Sequence, residues 1–447
     1  MIQGFSSGLL NRELIYQTDL PSFQRDFASL KTLDHGTGPA ITFTRASGAT
    51  YFDADGVLQT ATNDTPRFDH DPVDGGKSLG LLIEEARTNS IRNSQGGGAV
   101  VGASGTMPTN WFTNLITGIS REVVATGTVN GFSYIDIKLS GTNTSGSAGF
   151  LQINPEALTQ VVAASGQSWS ASAYIALIAG NFSGTTSPFF RIVERDAVGA
   201  AIAGAISSTD ISTANATLSR FSVSRTLNGA GVERVTTQLV WTVANGASVD
   251  FTVRIAAPQL EQGAFPTSYI PTTTAAATRA ADSAVVTPIS SFYNASEGTL
   301  FAEASSTAFV SGDNQGLWGF GDDTLTFATG NMMYATHAAS VSHRIAIGVI
   351  VSGASTVSSL NNGGVPQSAN VPARSIFGYK TDDFAISTNG SSVATDTSGA
   401  LPVVTGFSIG GLQKAWASGG NQLNGHIRKI AYWPKRLTNT LLQQLTT

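Results

Sequence analysis

An all-β fold of several domains is predicted by two features of the chain. Apolar residues recur with a period of two in short runs, and clusters of Gly, Ser, Asn and Thr punctuate those runs at fairly regular spacing. That is the pattern of antiparallel β-sandwiches and jelly rolls placed in tandem, here followed by one short C-terminal helix. With 447 residues the chain should hold two to three domains, each able to bury its own core.

Residues 1–25 carry Leu9, Leu10, Leu14, Ile15 and Leu20 among polar neighbours without clean periodicity. Such a segment orders against something else, either a partner or its own domain. Ile41, Phe43 and Arg45 then alternate with Thr42 and Thr44 as in a half-buried strand. Tyr51 and Phe52 enter Asp53-Ala54-Asp55-Gly56 and leave through Val57 and Leu58. Asp side chains bond their own backbone and Gly supplies positive φ, so the tetrad reads as a hairpin turn. A calcium loop would need a bidentate Glu at a fixed distance, and none follows.

Leu79 to Ile83 is a continuous apolar run that ends in Glu84-Glu85-Ala86-Arg87. Arg45, Arg67 and Arg87 alternate in sequence with Asp69, Asp71, Glu84 and Glu85, which predicts a packed Arg–carboxylate cluster of architectural role. Residues 26–95 are expected to form one small β-module, closed by the flexible stretch Ser94 to Gly98.

In residues 99–270 the alternating runs are Phe132–Leu139, Ser168–Leu177, Phe189–Val193, Phe221–Arg225, Val235–Val243 and Val249–Ala256, which predict a first sandwich. Pro266, Pro271 and the low-complexity run Thr272 to Ala277 mark residues 271–287 as a linker. Residues 288–447 read as a second sandwich, with strand-like pieces at 298–305, 315–321, 342–353, 374–390, 407–412 and 425–434. Asn389-Gly390 marks a hairpin turn. Asn439–Leu445 should be a helix capped by Thr438, with Leu441, Leu442 and Leu445 covering the sheet.

Charge and composition exclude several function classes. Charged residues make up 12% of the chain, against roughly a quarter in ordinary soluble domains, so Ser, Thr, Asn and Gly must build the surface. Net charge is −5 and no basic block occurs, which argues against nucleic-acid binding because phosphate neutralisation supplies most of that affinity. Without cysteine there are neither disulfides nor thiolate metal sites. The N-terminus lacks the basic and apolar regions of a secretory signal, and the longest apolar run, Ile345 to Val351, is too short to span a bilayer.

Catalytic constellations are hard to find. Glycoside hydrolysis needs two carboxylates held about 5–10 Å apart, which an i, i+2 pair on one strand can supply. The candidates are Asp53/Asp55 in a turn, Asp69/Asp71 before Pro72, and Glu194/Asp196 where a strand meets a turn. No Glu-x-Asp pattern with a further Glu occurs in residues 288–447, and no catalytic residue is assigned. His35, His70, His337, His343 and His426 are scattered singly, without metal-ligand spacing or a Ser/His/Asp motif.

Sugar binding is easier to satisfy, since an aromatic ring stacks on a pyranose face while amide and hydroxyl groups bond its hydroxyls. Trp169 and Trp241 lie in alternating strands and Trp433 lies beside the closing helix, so these read as core. Trp111, Trp318 and Trp416 fall in loop-like polar surroundings and are the ligand candidates, accompanied by Tyr379 and Asn421.

Several long motifs carry a family resemblance. "FTRASGATYFDADGVLQTA", "PRFDHDP" and "LGLLIEEARTN" lie within residues 41–89, and "QLEQGAFPTSYIPTTTAAATRAADSAVV" spans 259–286. In this order they resemble the head spike, head fibre and tail fibre proteins of tailed phages and gene-transfer-agent-like particles. The ending "LNGHIRKIAYWPKRLTNTLLQQLT" is similar to that of laminin-G or concanavalin-like domains, and the first sandwich resembles carbohydrate-binding modules through "SWSASAYIAL" and "VDFTVRIAAPQLEQG".

The resemblance implies a virion protein, made in the host cytoplasm without a signal peptide, that docks on other virion proteins through residues 1–25. It would act as a homo-oligomer, a trimer or a pentamer at a vertex, and hold a host cell-surface glycan without catalysis or membrane insertion. The alternatives are a structural decoration or adaptor that carries another spike, and a polysaccharide depolymerase. Laminin-G-like domains also bind calcium at a sheet rim, which would fall on Asp322 and Asp323 or Asp382 and Asp383; no other cofactor is implied.

Overall fold

The computed structural model describes residues 20–309, 314–322, 329–338, 344–361, 366–412 and 422–447. Its elements are antiparallel strands and two short helices, Phe27–Leu30 and Asn439–Leu445, as the all-β reading predicts. The chain divides into two compact units: residues 1–56, 60–86 and 280–447 make one, and residues 57–59 and 87–279 make the other.

The first unit is a sandwich of an eight-stranded and a seven-stranded sheet. Phe23, Leu81, Ile83, Leu300, Tyr379, Ile427 and Tyr432 of the larger sheet share a core with Phe43, Trp318, Phe320, Met333, Ile347, Phe407 and Ile409 of the smaller. On the other face of the larger sheet, the helix Asn439–Leu445 packs Leu442 and Leu445 against Phe301, Ile376, Ala385 and Trp433. Thr438 caps it by accepting from the Leu441 amide. Asn389 and Gly390 have φ of 48° and 71°, and the Ser391 amide closes the turn onto the Thr388 carbonyl. This is the expected hairpin with two left-handed central residues.

The second unit is a sandwich of two five-stranded sheets. One sheet is built from Ile119–Val129, Phe132–Thr142, Ser168–Asn181, Ser219–Thr226 and Ser248–Gln262. The other contains Phe112–Asn114, Gly149–Asn154, Thr186–Arg195, Ala201–Asp210 and Arg234–Val243. Alternation decides which side chains meet between them: Leu151, Ile153, Phe190, Ile192, Leu239 and Trp241 enter the core with Ile135, Ile137, Ile175, Val253 and Ile255.

The expected domain boundaries are corrected by this division. Residues 26–95 do not form a module of their own, because Lys77–Ile83 pairs with Gly425–Trp433 and Thr42–Thr44 pairs with Ser283–Val286. A run as continuously apolar as Leu79 to Ile83 is what a strand covered on both faces requires. Ser94 to Gly98 is no boundary either: Ser94 is buried, and its hydroxyl meets Tyr269 and Thr272. Within residues 271–287 two short strands form, Ala277–Arg279 paired to Arg87–Asn89 and Ser283–Val286 paired to Thr42–Thr44, and the chain passes from one unit to the other between Arg279 and Ala280. Of the expected docking segment, residues 1–19 lie outside the described residues, while Phe23–Asp26 pairs with the strand ending at Trp433.

Candidate functional site

The two signature segments supply buried architecture. In the first unit, Asp282 from the downstream segment accepts from Arg45 Nη1 at 3.0 Å and Arg67 Nη2 at 2.5 Å, and Glu84 accepts from Arg67 Nη1 at 2.8 Å. The Glu84 amide donates to Asp282 at 2.9 Å. Burial alone would lower the Arg67 pKa, but the Asp282 and Glu84 carboxylates outweigh it and raise it. Of the expected cluster, Arg45, Arg67 and Glu84 come together, around Asp282, which the sequence reading did not include; Asp69 pairs with His426, Asp71 caps a turn, and Arg87 belongs to the other unit, where it donates to the Gln262 carbonyl.

In the second unit, the remaining signature residues tie backbone of the strand Ser248–Gln262 to the segment 267–270. Asn89 donates to the Ile270 carbonyl at 2.9 Å and accepts from the Leu260 amide at 3.2 Å. Glu261 accepts from both the amide and the hydroxyl of Thr267, at 2.9 and 2.6 Å. Gln259 accepts from the Ile270 amide at 2.7 Å. Every one of these groups is buried and satisfied by protein, which fits a role in folding rather than in recognition.

Three of the named ligand candidates are corrected to core residues. Trp111 is buried and its Nε1 donates to the Asn93 carbonyl at 2.9 Å. Trp318 lies in the strand Gln315–Gly321, stacked 6.0 Å from Phe377. Tyr379 bonds its hydroxyl to Tyr432 at 2.7 Å and to the Asn294 carbonyl at 2.8 Å, and burial pushes its pKa far up. The glycines around Trp318 resembled a loop, but they are positions where backbones crowd: a Cβ on Gly319 would sit 2.0 Å from the Leu412 carbonyl oxygen. Trp416 and Asn421 lie outside the described residues, as does Asp323.

The acids are likewise occupied. Asp53 accepts from the Asp55 amide and Asp71 from the amides of Val73 and Asp74, so these cap turns. Asp69 accepts from the Phe52 amide and pairs with His426 at 2.9 Å. Glu194, fully buried, receives Arg225 Nε at 2.5 Å and the Asn228 and Gly229 amides, while Asp196 holds the amides of Val198 and Ala200. At the proposed calcium rim, Asp382 accepts from the Gly399 amide and Asp383 pairs with Arg436 at 3.0 Å. Asp322 is half-buried at the end of the described stretch.

A different surface combines aromatic and amide groups. Where Leu151, Ile153, Phe190, Ile192 and Leu239 point into the second unit's core, their neighbours point to the outer face of the same sheet. Pairing places Asp210, Phe189, Val240, Gln152 and Asn114 in one row across that face. Ser208, Arg191 and Gln238 form the next row, and Asn154 pairs with Phe112 on the sheet's other side. Phe150, one step along the strand from Gln152, is 55% exposed, and Phe189 and Phe112 are half-buried. Asn114 donates to Gln152 at 2.7 Å, which leaves the other end of each amide free to meet a ligand.

Sequence reasoning missed this face because the strand Gly149–Asn154 lies outside the longer alternating runs. Its signal was present in Phe150-Leu151-Gln152-Ile153-Asn154, where an aromatic shares the polar face with two amides.

No protein-family model matches the chain, and no curated protein does. Among solved structures it is similar to the CBM40 module of the Ruminococcus gnavus IT-sialidase bound to α2,3-sialyllactose, with 13% identity over 34% of this chain and 84% of that one and a TM-score of 0.30. It is similar to the tripod from the baseplate of bacteriophage Tuc2009, with 12% identity over 77% and 99% and a TM-score of 0.29. A Trypanosoma rangeli sialidase in complex with the inhibitor DANA aligns with 9% identity over 96% and 97% and a TM-score of 0.28. Similarity at this level transfers neither binding nor catalysis to this chain.

Proposed function

We propose that the chain is a non-catalytic attachment protein, a fibre or spike of a phage-like particle, that holds a host-surface polysaccharide through the outer face of the second unit's Phe150-bearing sheet. The observation that supports binding is the exposed Phe150 ring beside Gln152 and Asn114 on one sheet face, with Phe189 on the same face across the strand that carries Val240. Rings of this kind cover the apolar face of a sugar and amides take its hydroxyls. The particle context rests on the motifs in residues 41–89 and 259–286. In that context, the segment before Leu20 docks on other virion proteins, and a trimer or pentamer multiplies weak sites into firm attachment.

The test uses the full chain and polysaccharide purified from host cells. Phe150→Ala together with Phe189→Ala should weaken binding at least tenfold, about 1.4 kcal/mol, with the unfolding midpoint unchanged and the polymer's chain length intact. Absence of wild-type binding to any host polysaccharide sinks the reading in favour of a decoration or adaptor. A shortened polymer replaces it with a depolymerase.

A further inference from the structure

Resting on that reading of the sheet face, we infer that the sugar it holds is acidic, and that Arg191 receives its carboxylate. Arg191 stands in the middle of the face, with Gln238 on one neighbouring strand and Ser208 on the other. Its guanidinium carbon lies over the Phe150 ring, 5.9 Å from its centre, so a sugar that meets the exposed part of that ring lies beside the charge.

The electrostatics of the face lack an anion. Three arginines of this sandwich meet carboxylates: Arg225 meets Glu194, Arg254 meets Asp136 and Arg92 meets Glu156. Arg191 has no such partner among the described residues, and its buried Nε makes no hydrogen bond. Burial lowers its pKa, as expected of a cation without a counter-ion. Arg195, four residues on and on the same face, adds positive charge but directs its three nitrogens to Thr236, Gly199 and Gln238. Arg234 opposes Arg195 and donates to the carbonyls of Thr159 and Glu233. The nearest acids in these rows are committed to turns: Asp210 holds Ser212 and Asp196 holds Val198 and Ala200.

Polar groups of the neighbouring strands are also incomplete. Gln238 and Asn154 are both fully buried, and the Gln238 Nε2 and both polar atoms of the Asn154 amide have no hydrogen-bond partner. One guanidinium with its donors uncommitted matches one negative charge, and its planar fork matches the two oxygens of a carboxylate. A phosphate monoester would bring a second charge with no cation free to meet it.

The experiment measures binding of the full-length protein to polygalacturonate, to its carboxyl-reduced derivative, to dextran sulfate and to the host polysaccharide before and after carboxyl reduction. Polygalacturonate should bind at least tenfold more tightly than its reduced form. Arg191→Gln should abolish that difference, adding no further loss on the reduced polymer and leaving the unfolding midpoint unchanged. Arg191→Lys, which keeps the charge without the fork, should recover part of it. Equal binding of Arg191→Gln and wild type to polygalacturonate overturns the inference, as does a preference for dextran sulfate over polygalacturonate. If the host polymer binds through Phe150 before and after reduction alike, the adhesin reading stands and this inference falls. If no polymer binds, both fall.

Discussion

Asp282→Ala strikes the centre of the buried ion cluster, and its cost follows from the contacts removed. The carboxylate accepts from Arg45 at 3.0 Å, from Arg67 at 2.5 Å and from the Glu84 amide at 2.9 Å, and the Arg45, Arg67 and Asp282 side chains are fully buried. Without it, Glu84 still faces Arg67 at 2.8 Å, so the charge left over is chiefly that of Arg45, facing the carbonyls of Ser47 and Thr62. Breaking a buried pair costs about 3–5 kcal/mol, and an orphaned amide adds about 1–3 kcal/mol. The expected loss is about 5 kcal/mol, which is comparable to the whole stability of many domains. In urea, with a slope of about 3 kcal/mol per molar for a unit of this size, the midpoint should fall by about 1.5 M. Asp282→Asn keeps an acceptor for the amide and should lose about 1 kcal/mol less. As a control, Asp74→Ala breaks an exposed pair with Lys77 at 3.6 Å and should change stability by under about 0.5 kcal/mol. If Asp282→Ala shifts the midpoint no more than that control, with amide exchange at Glu84 unaltered, the architectural account of the signature residues is wrong.

Trp318→Ala should destabilise by about 3–5 kcal/mol through an unfilled core space, with no change in glycan affinity of the folded fraction; an affinity loss at unchanged stability would return Trp318 to the ligand set. Gly390→Ala should cost about 1 kcal/mol, because φ is 71° and the added Cβ would lie 2.7 Å from Thr447 Cγ2; an unchanged midpoint refutes the turn assignment. Alkali should unfold the protein through its buried tyrosines. Burial raises the Tyr432 pKa from 10.0 to about 12, so its contribution is complete below pH 10 and is lost as pH rises from 10 through 12, by roughly 1.4 kcal/mol per unit at most. A urea midpoint that stays flat from pH 9 to 12 contradicts this.

Local patterns were legible wherever a strand is covered on one face or both. The six runs between Phe132 and Ala256 all became strands, and Asn439–Leu445 became the capped helix, because period and capping are decided within a few residues. Trp169, Trp241 and Trp433 were assigned to the core by the same alternation and are buried. The reading failed at Trp111 and Trp318 because polar or glycine neighbours imitate a loop. Burial is set by what lies across the sheet, and for Trp318 that is Phe377, distant in sequence.

From its own order of residues the chain determined an all-β architecture, its turns and its closing helix, since these depend on φ preferences and on the side-chain period. Only the tertiary structure decided that residues 77–83 complete the terminal sandwich, that Asp282 joins Arg45 and Arg67, and that Phe150, Gln152 and Arg191 share one face. The physical reason is that antiparallel pairing joins residues hundreds of positions apart, as with Gly425 and Ile83, and which distant strand is chosen depends on total burial and on the cancellation of charge. Neither quantity exists until the chain is folded.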